Sequence, residues 1–154
     1  MKSEELREEL SIELEWMNTI ICELISVKRD VNDREPTLRE KTAAAAFLAQ
    51  FYNGIENILK RISRFHGIEI PQGETWHVEL FKRFCQPVRP PFPGLFDEQF
   101  ALELAPYRKF RHIVHHGYGF QIEWKRMKDG LDKVEIIFSH FRSLVTEYLE
   151  TLES

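Results

Sequence analysis

The C-terminal part of the chain carries large apolar side chains in alternating steps of three and four residues. This spacing draws one continuous stripe along a helix, because an α-helix makes a turn every 3.6 residues. The stripe comprises Trp124, Met127, Leu131, Val134, Phe138, Phe141, Val145, Tyr148 and Leu152. It predicts a helix of about 45 Å over residues 121–152, longer than the other elements of a small bundle need. Leftover apolar surface on such a helix favours a homodimer.

Four earlier segments repeat this periodicity, and each follows a residue that can cap a helix N-terminus: Ser3, Thr37, Thr75 and Asp97. The first two helices are expected to end near residues 31 and 66, and the third near residue 84. Pro106 lies inside the fourth, where it predicts a kink or a break. Residues 87–94 contain four prolines and predict a rigid connector without a helix. The chain is therefore predicted to be all-α, an antiparallel bundle of four to five helices.

Length and composition predict one globular domain over residues 1–154, with 43% hydrophobic and 30% charged residues. No apolar run is long enough for a membrane span, and the N-terminus lacks the features of a signal peptide. We therefore expect a cytoplasmic protein with no membrane contact. Cys22 and Cys85 form no paired motif and are expected to be reduced, with Cys22 in a helix core.

The net charge of −4 argues against a general nucleic-acid coat protein. Residues 107–128 nevertheless form a basic neighbourhood in which Glu123 is the single acid. Charge runs of this kind are usually solvated helix faces. If the neighbourhood binds RNA, the side chains expected to do so are Arg108, Lys109, Lys125 and Arg126.

The stretch from Arg111 to Tyr118 combines one guanidinium, three imidazoles and a phenol within eight residues. Arginine matches a phosphate with a fixed fork of donors, and histidine exchanges protons near neutral pH. Gly117 and Gly119 favour a helix end here, because glycine tolerates the left-handed backbone found at many helix ends. Three histidines are also a possible zinc set. We expect no metal and no cofactor, because the glycines interrupt the helix and no acid or cysteine is well placed.

The same stretch resembles the Arg-x4-His-x-Tyr motif of HEPN-domain ribonucleases of the HepT toxin type, with Arg111, His116 and Tyr118 in the three motif positions. His112 fits the family pattern after the arginine. Residues 51–60 resemble the family's earlier aromatic-Gly-Ile-Glu helix. The resemblance implies a HEPN-like homodimer whose motifs face each other across a cleft. It also implies Arg111 and His116 as catalytic residues.

His112 and His115 are expected to support the reaction, although a structural role is the more common one for such histidines. Residues five apart are about 140° apart around a regular helix, so Arg111 should face the same way as His115 rather than His116. Either the helix ends before His116, or two chains share the site as the resemblance implies. Glu56 is a candidate for bracing a cation, although a partly exposed glutamate is the commoner situation.

The resemblance implies a metal-independent endoribonuclease toxin of a toxin–antitoxin pair, with RNA as its substrate. It further implies a partner, a nucleotidyltransferase antitoxin of the MNT type, which silences the toxin by transferring AMP to Tyr118. The alternative is a non-catalytic HEPN subunit that binds substrate and presents it to a partner nucleotidyltransferase. The intact motif favours the first function, whereas the acidic net charge mildly favours the second.

Overall fold

A computed structural model describes residues 2–152 and shows five α-helices there, with no β-strand among these residues. The predicted all-α helical bundle is confirmed. The helices are α1 (Ser3–Val31), α2 (Leu38–Phe65), α3 (Trp76–Arg83), α4 (Glu98–His116) and α5 (Trp124–Glu150), and a short 3-10 turn (Gly119–Gln121) follows α4. No helix in the described part of the chain is long and apolar enough to cross a membrane.

The central helix is α2, which packs against each of the other four helices. It begins with the predicted capping box. The Thr37 hydroxyl accepts from the backbone N–H of Glu40 at 3.1 Å, and the Glu40 carboxylate accepts from the backbone N–H of Thr37 at 2.9 Å. It ends before Gly67, whose φ of 72° an L side chain rarely adopts. These signals fix the length of the helix on which the site is built.

Of the other three predicted caps, Asp97 is confirmed, Ser3 is wrong, and Thr75 is right in position but makes no capping bond. The Asp97 carboxylate accepts from the backbone N–H of Phe100 at 2.7 Å and starts α4. Ser3 already lies within α1, and the Thr75 hydroxyl bonds to the Glu79 side chain instead of a backbone N–H. Residues 87–94 are free of helix, as predicted.

The apolar stripe of α5 faces the bundle rather than solvent. Its central members are all buried: Met127, Leu131, Val134, Phe138, Phe141, Val145 and Tyr148. Among the residues of α5, Ile136 is the one large apolar side chain that is exposed. The expectation of leftover apolar surface on α5 is therefore wrong, because α1, α2 and α4 cover the stripe. The larger exposed apolar side chain is Trp16 of α1, which is 61% exposed.

Pro106 does not break α4, which is continuous from Glu98 to His116. On the same helix, the Tyr107 hydroxyl donates to the backbone carbonyl of Gly130 at 2.7 Å and ties α4 to α5. A Cβ at Gly130 would lie 2.9 Å from the Phe110 ring, so glycine is needed for this close approach.

Cys22 is exposed, against expectation, because it lies on the outer side of α1; both cysteines are free thiols.

Candidate active site

The C-terminal end of α4 presents its charged side chains on two different sides. The rings of His112 and His116 lie against each other, with centroids 4.5 Å apart. Arg111 instead turns toward α2, and its charge acts on His115. Because α4 remains helical as far as His116, the expectation that the helix might end before this residue is wrong. The predicted separation of Arg111 from His116 around the helix therefore holds within one chain.

Arg111 is anchored to α2 through its Nε atom. This nitrogen donates to Asn53 Oδ1 at 2.7 Å and lies 3.0 Å from Glu56 Oε1. Glu56 is only 2% exposed, so the expectation of a partly exposed glutamate is wrong. It is instead a buried carboxylate that braces the Arg111 cation. Within residues 2–152, no group hydrogen bonds to the two terminal nitrogens of Arg111. The guanidinium is thus fixed from one edge, and its terminal donors remain for a phosphate.

His77 of α3 binds the second oxygen of the same carboxylate, with its Nδ1 2.7 Å from Glu56 Oε2. An ionised carboxylate only accepts, so Nδ1 carries a proton, and in the neutral ring Nε2 then keeps its lone pair. The pKa of His77 lies below its ordinary value, chiefly because of burial. Glu56 opposes this shift, but Arg111 and Lys60 favour the neutral ring. His77 is therefore a neutral imidazole near pH 7.

Trp76 covers this group of side chains. Its ring lies against that of His77 at 3.5 Å between centroids, with Lys60 Nζ 4.4 Å and Arg111 Cζ 5.8 Å from its own centroid. Cations over an aromatic face are attracted by its quadrupole. Trp76 thus packs against an imidazole and two cationic side chains. We call this assembly the Arg111 cluster; it comprises Asn53, Glu56, Trp76, His77, Arg111 and His115.

His115 is exposed on α4 and belongs to this cluster electrostatically. Its pKa is lowered by partial burial first, and then by the charges of Arg111 and His116. Glu56 acts in the opposite direction, and His77 adds a further small lowering. The cluster thus holds two histidines, His77 and His115, whose protonated forms are disfavoured and whose pKa values are both lowered in part by the charge of Arg111.

Sequence reasoning overlooked Asn53 and His77. The first was detectable, because Asn53, Glu56 and Lys60 recur at spacings of three and four and form a polar stripe beside the apolar one of α2. Such a polar stripe in the middle of a buried helix indicates a partner on a neighbouring element. No signal of this kind marks His77, since it lies on a short helix 21 residues from Glu56.

Tyr118 follows α4 and is 65% exposed. Its ring stacks on that of Phe120, with centroids 5.5 Å apart, and its backbone N–H donates to the Gln121 side chain at 3.2 Å. The adjacent glycines do not adopt the expected left-handed backbone: Gly117 has φ of −160°, and Gly119 is not among the positive-φ residues of the described chain. A Cβ at Gly119 would instead lie 2.7 Å from Ala45 Cβ. Glycine is needed here for close approach to α2.

The four basic residues expected to bind RNA do not form one patch. Arg108 is half-buried, with its guanidinium 5.5 Å from the centre of the Phe81 ring. Lys109 and Arg126 line a cleft of about 490 Å³ between α4 and α5. Lys125 lines a different groove, beside the loop that joins α1 to α2. Arg108 thus shares the side of α4 that carries Arg111, whereas Lys109 shares the side that carries His116.

The three histidines of α4 are divided between these two sides, so they do not converge on one point. Across residues 2–152, no three side chains of the His, Cys, Asp or Glu type come together in an arrangement suited to a metal ion.

A family model described as HepT-like protein matches residues 43–152. The matched range includes Glu56, His77 and the whole stretch from Arg111 to Tyr118. No curated protein and no solved structure matches the chain. Because the family model covers most of the chain, including the helices that carry the Arg111 cluster, the chain belongs to the HepT-like family and carries a HepT-type HEPN domain.

Proposed function

We propose that this protein is a metal-independent endoribonuclease toxin whose active site combines Arg111 and His116. The observation that carries the proposal is the anchoring of Arg111. Its Nε is held by Asn53 and by buried Glu56, while its terminal nitrogens are available to a ligand. A cation fixed in this way stabilises the extra negative charge of a phosphodiester transition state without reorganising. Membership of the HepT-like family supports the same function.

Cleavage without a metal needs an acid and a base in addition to the cation. His116 is exposed at the end of α4 and is the motif histidine. Since Arg111 and His116 point in different directions within one chain, a single chain does not bring both to one phosphate. We therefore propose that two chains form the site, each contributing one Arg111 and one His116 to a shared cleft.

The surface next to the Arg111 cluster suits a second copy of the chain. A largely apolar groove of about 410 Å³ lies between α1 and α2 and is lined by Trp16 and Asn53. Trp16 is exposed, and Asn53 is the residue that holds Arg111. An apolar surface contiguous with the site favours a homodimer that covers it. His112 and His115 then support the reaction from the two sides of α4.

The proposed partner is an MNT-type nucleotidyltransferase antitoxin that transfers AMP to Tyr118. Exposure of the phenol two residues beyond His116 supports this role, since a modifying enzyme must reach the hydroxyl. An added AMP carries a phosphate that competes with RNA for Arg111. The modification would silence the toxin without unfolding it.

The test is cleavage of a labelled RNA by the purified chain in the presence of EDTA. We expect cleavage by the parent protein and its loss in Arg111→Ala and His116→Ala. Matched controls are Arg39→Ala and His140→Ala, which remove an exposed arginine and an exposed histidine outside the site. Both controls should cleave like the parent. Activity that disappears with EDTA and returns with zinc would contradict the metal-independent mechanism.

A second candidate function is a non-catalytic subunit that docks a nucleotidyltransferase. The scattered placement of the basic residues favours it, since Lys109 and Lys125 line separate grooves. Tight binding of the partner without RNA cleavage by the free dimer is the result that would establish this alternative.

A further inference from the structure

One carboxylate holds both the motif arginine and a histidine from a different helix. Glu56 uses Oε1 for Arg111 and Oε2 for His77, at 3.0 Å and 2.7 Å. Two groups bound to the two oxygens of one carboxylate are necessarily neighbours. Both groups also contact the Trp76 ring, with Arg111 Cζ 5.8 Å and the His77 ring centre 3.5 Å from its centroid. His77 is thus the histidine positioned to act beside a phosphate bound by Arg111.

We infer that His77 is the general base of the proposed ribonuclease, taking the proton of the RNA 2′-hydroxyl through its Nε2 atom. This inference rests on the function proposed above. It adds a residue outside the Arg-x4-His-x-Tyr motif. His77 provides the base from the chain that binds the phosphate, and His116 of the second copy provides the acid.

The arrangement of Glu56 and His77 is that of an oriented base. The carboxylate fixes the tautomer by accepting from Nδ1, so that Nε2 keeps its lone pair. The same carboxylate stabilises the positive charge that develops on the ring when Nε2 takes a proton. The His77 side chain is 24% exposed, whereas Glu56 is almost fully buried, so a substrate reaches the ring but not the carboxylate.

The charges around His77 favour the neutral ring before the reaction. The groups that face it are Glu56 and Lys60 from α2, and Arg111 and His115 from α4. Glu56 raises the pKa of His77, and its pairing with Arg111 weakens this effect without removing it. Burial is the largest cause of the lowered pKa of His77. A base must be unprotonated at the working pH, and His77 meets this condition near neutrality.

The step balances with groups that the proposal names. The 2′-hydroxyl loses its proton to His77 Nε2, and the 2′-oxygen forms a bond to phosphorus. The bond between phosphorus and the 5′-oxygen breaks, and that oxygen takes a proton from the protonated His116. The products are a 2′,3′-cyclic phosphate and a 5′-hydroxyl. Arg111 binds the non-bridging oxygens throughout and stabilises their added charge.

The test is the pH dependence of RNA cleavage by His77→Asn. The asparagine amide occupies the place of Nδ1 and still donates to Glu56, but it offers no group at the position of Nε2. We expect kcat to fall by about 10²- to 10³-fold, and the acidic limb of the kcat/KM profile to disappear. The control is His66→Asn. It removes another half-buried histidine, whose bonding partner is the Tyr148 hydroxyl and not a residue of the Arg111 cluster. This control should keep the parent profile.

A second measurement avoids substitution. In the parent protein, the pKa of His77 followed by NMR should match the acidic limb of the cleavage profile, and both should lie below the usual histidine value. A mismatch of more than about one unit contradicts the assignment. If the parent cleaves RNA and His77→Asn cleaves equally well with the same pH profile, the inference is overturned and the proposed function stands. If the parent chain does not cleave RNA at all, both are overturned.

Discussion

Glu56 Oε1 lies 3.0 Å from Nε of Arg111, so a carboxylate buried on α2 holds the motif arginine of α4 in place. Together with the hydrogen bond from Arg111 Nε to Asn53 Oδ1, the contact adds polar links between two helices that also pack through apolar side chains. It holds Arg111 by its Nε edge, and no hydrogen bond within residues 2–152 engages the terminal nitrogens. The same ion pair therefore serves the packing of the bundle and the geometry of the proposed site.

Glu56→Ala should lower the free energy of unfolding by about 3 kcal/mol, because it leaves the largely buried Arg111 cation without its partner. The Arg111 side chain is only 15% exposed, so water compensates the loss poorly. Urea unfolding measures the change. Glu23→Ala, at an exposed position of α1, is the control and should stay close to the parent. A loss as small as that of the control would show that the ion pair does not hold α4 on α2.

Much of the fold was predictable because its signals are local. The Thr37 capping box, the Gly67 stop and the α5 stripe each depend on residues within a few turns of one helix. The separation of Arg111 from His116 was predictable for the same reason, since it follows from 3.6 residues per turn. These features need no knowledge of neighbouring elements.

The remaining features depend on contacts between distant parts of the chain. His77 reaches Glu56 only because the loop before α3 turns that helix back onto α2. Glycine is required at position 119 because the backbone there lies close to Ala45, and not because of a left-handed backbone. This contact is with a different helix, so the residues next to Gly119 in sequence do not predict it. The covering of the α5 stripe by α1, α2 and α4 is equally a tertiary fact.

Mixing two inactive variants tests whether the site is shared between chains. If Arg111 of one chain acts with His116 of the other, a dimer of one Arg111→Ala chain and one His116→Ala chain keeps one intact site. Random pairing of equal amounts makes about half of the dimers mixed, so about a quarter of the parent activity should return. Co-expression with two affinity tags isolates the mixed dimer for assay. Mixed dimers that form but remain inactive would place the site within one chain.

The stability of the fold should fall as the pH is lowered from about 7.5 to 5.5. The pKa values of His66, His77 and His115 are all lowered, in each case chiefly by burial. Below the ordinary pKa of about 6.5 the unfolded chain takes up protons that the folded chain does not, so unfolding becomes more favourable. At higher pH these rings are neutral in both states and the effect vanishes. Thermal unfolding at a series of pH values measures it.

The control for this pH effect is His66→Gln, because glutamine can still hydrogen bond to the Tyr148 hydroxyl, which lies 2.8 Å from the His66 ring, but it does not titrate. Its melting temperature should depend less steeply on pH than that of the parent. An unchanged slope would mean that His66 is protonated equally in the folded and unfolded chains.

Tyr118 should be the residue that a cognate nucleotidyltransferase modifies. Its ring is 65% exposed and contacts Phe120, and its backbone is fixed by Gln121 and by the approach of Gly119 to α2, so the hydroxyl is presented on an ordered turn. Incubation with that enzyme, ATP and magnesium should add AMP to the peptide containing Tyr118, and RNA cleavage should fall in proportion. Mass spectrometry of the digested protein locates the modification.

Tyr118→Phe should fold normally and resist silencing, since the exposed ring contributes little to the core and the variant lacks only the acceptor oxygen. Phe120→Ala is the matched control, because it removes the stacked neighbour but keeps the acceptor, and it should still be modified. Silencing of Tyr118→Phe as complete as that of the parent, in the absence of ATP, would instead indicate that the partner blocks the site by occupying it. Modification of any residue other than Tyr118 would equally reject this role.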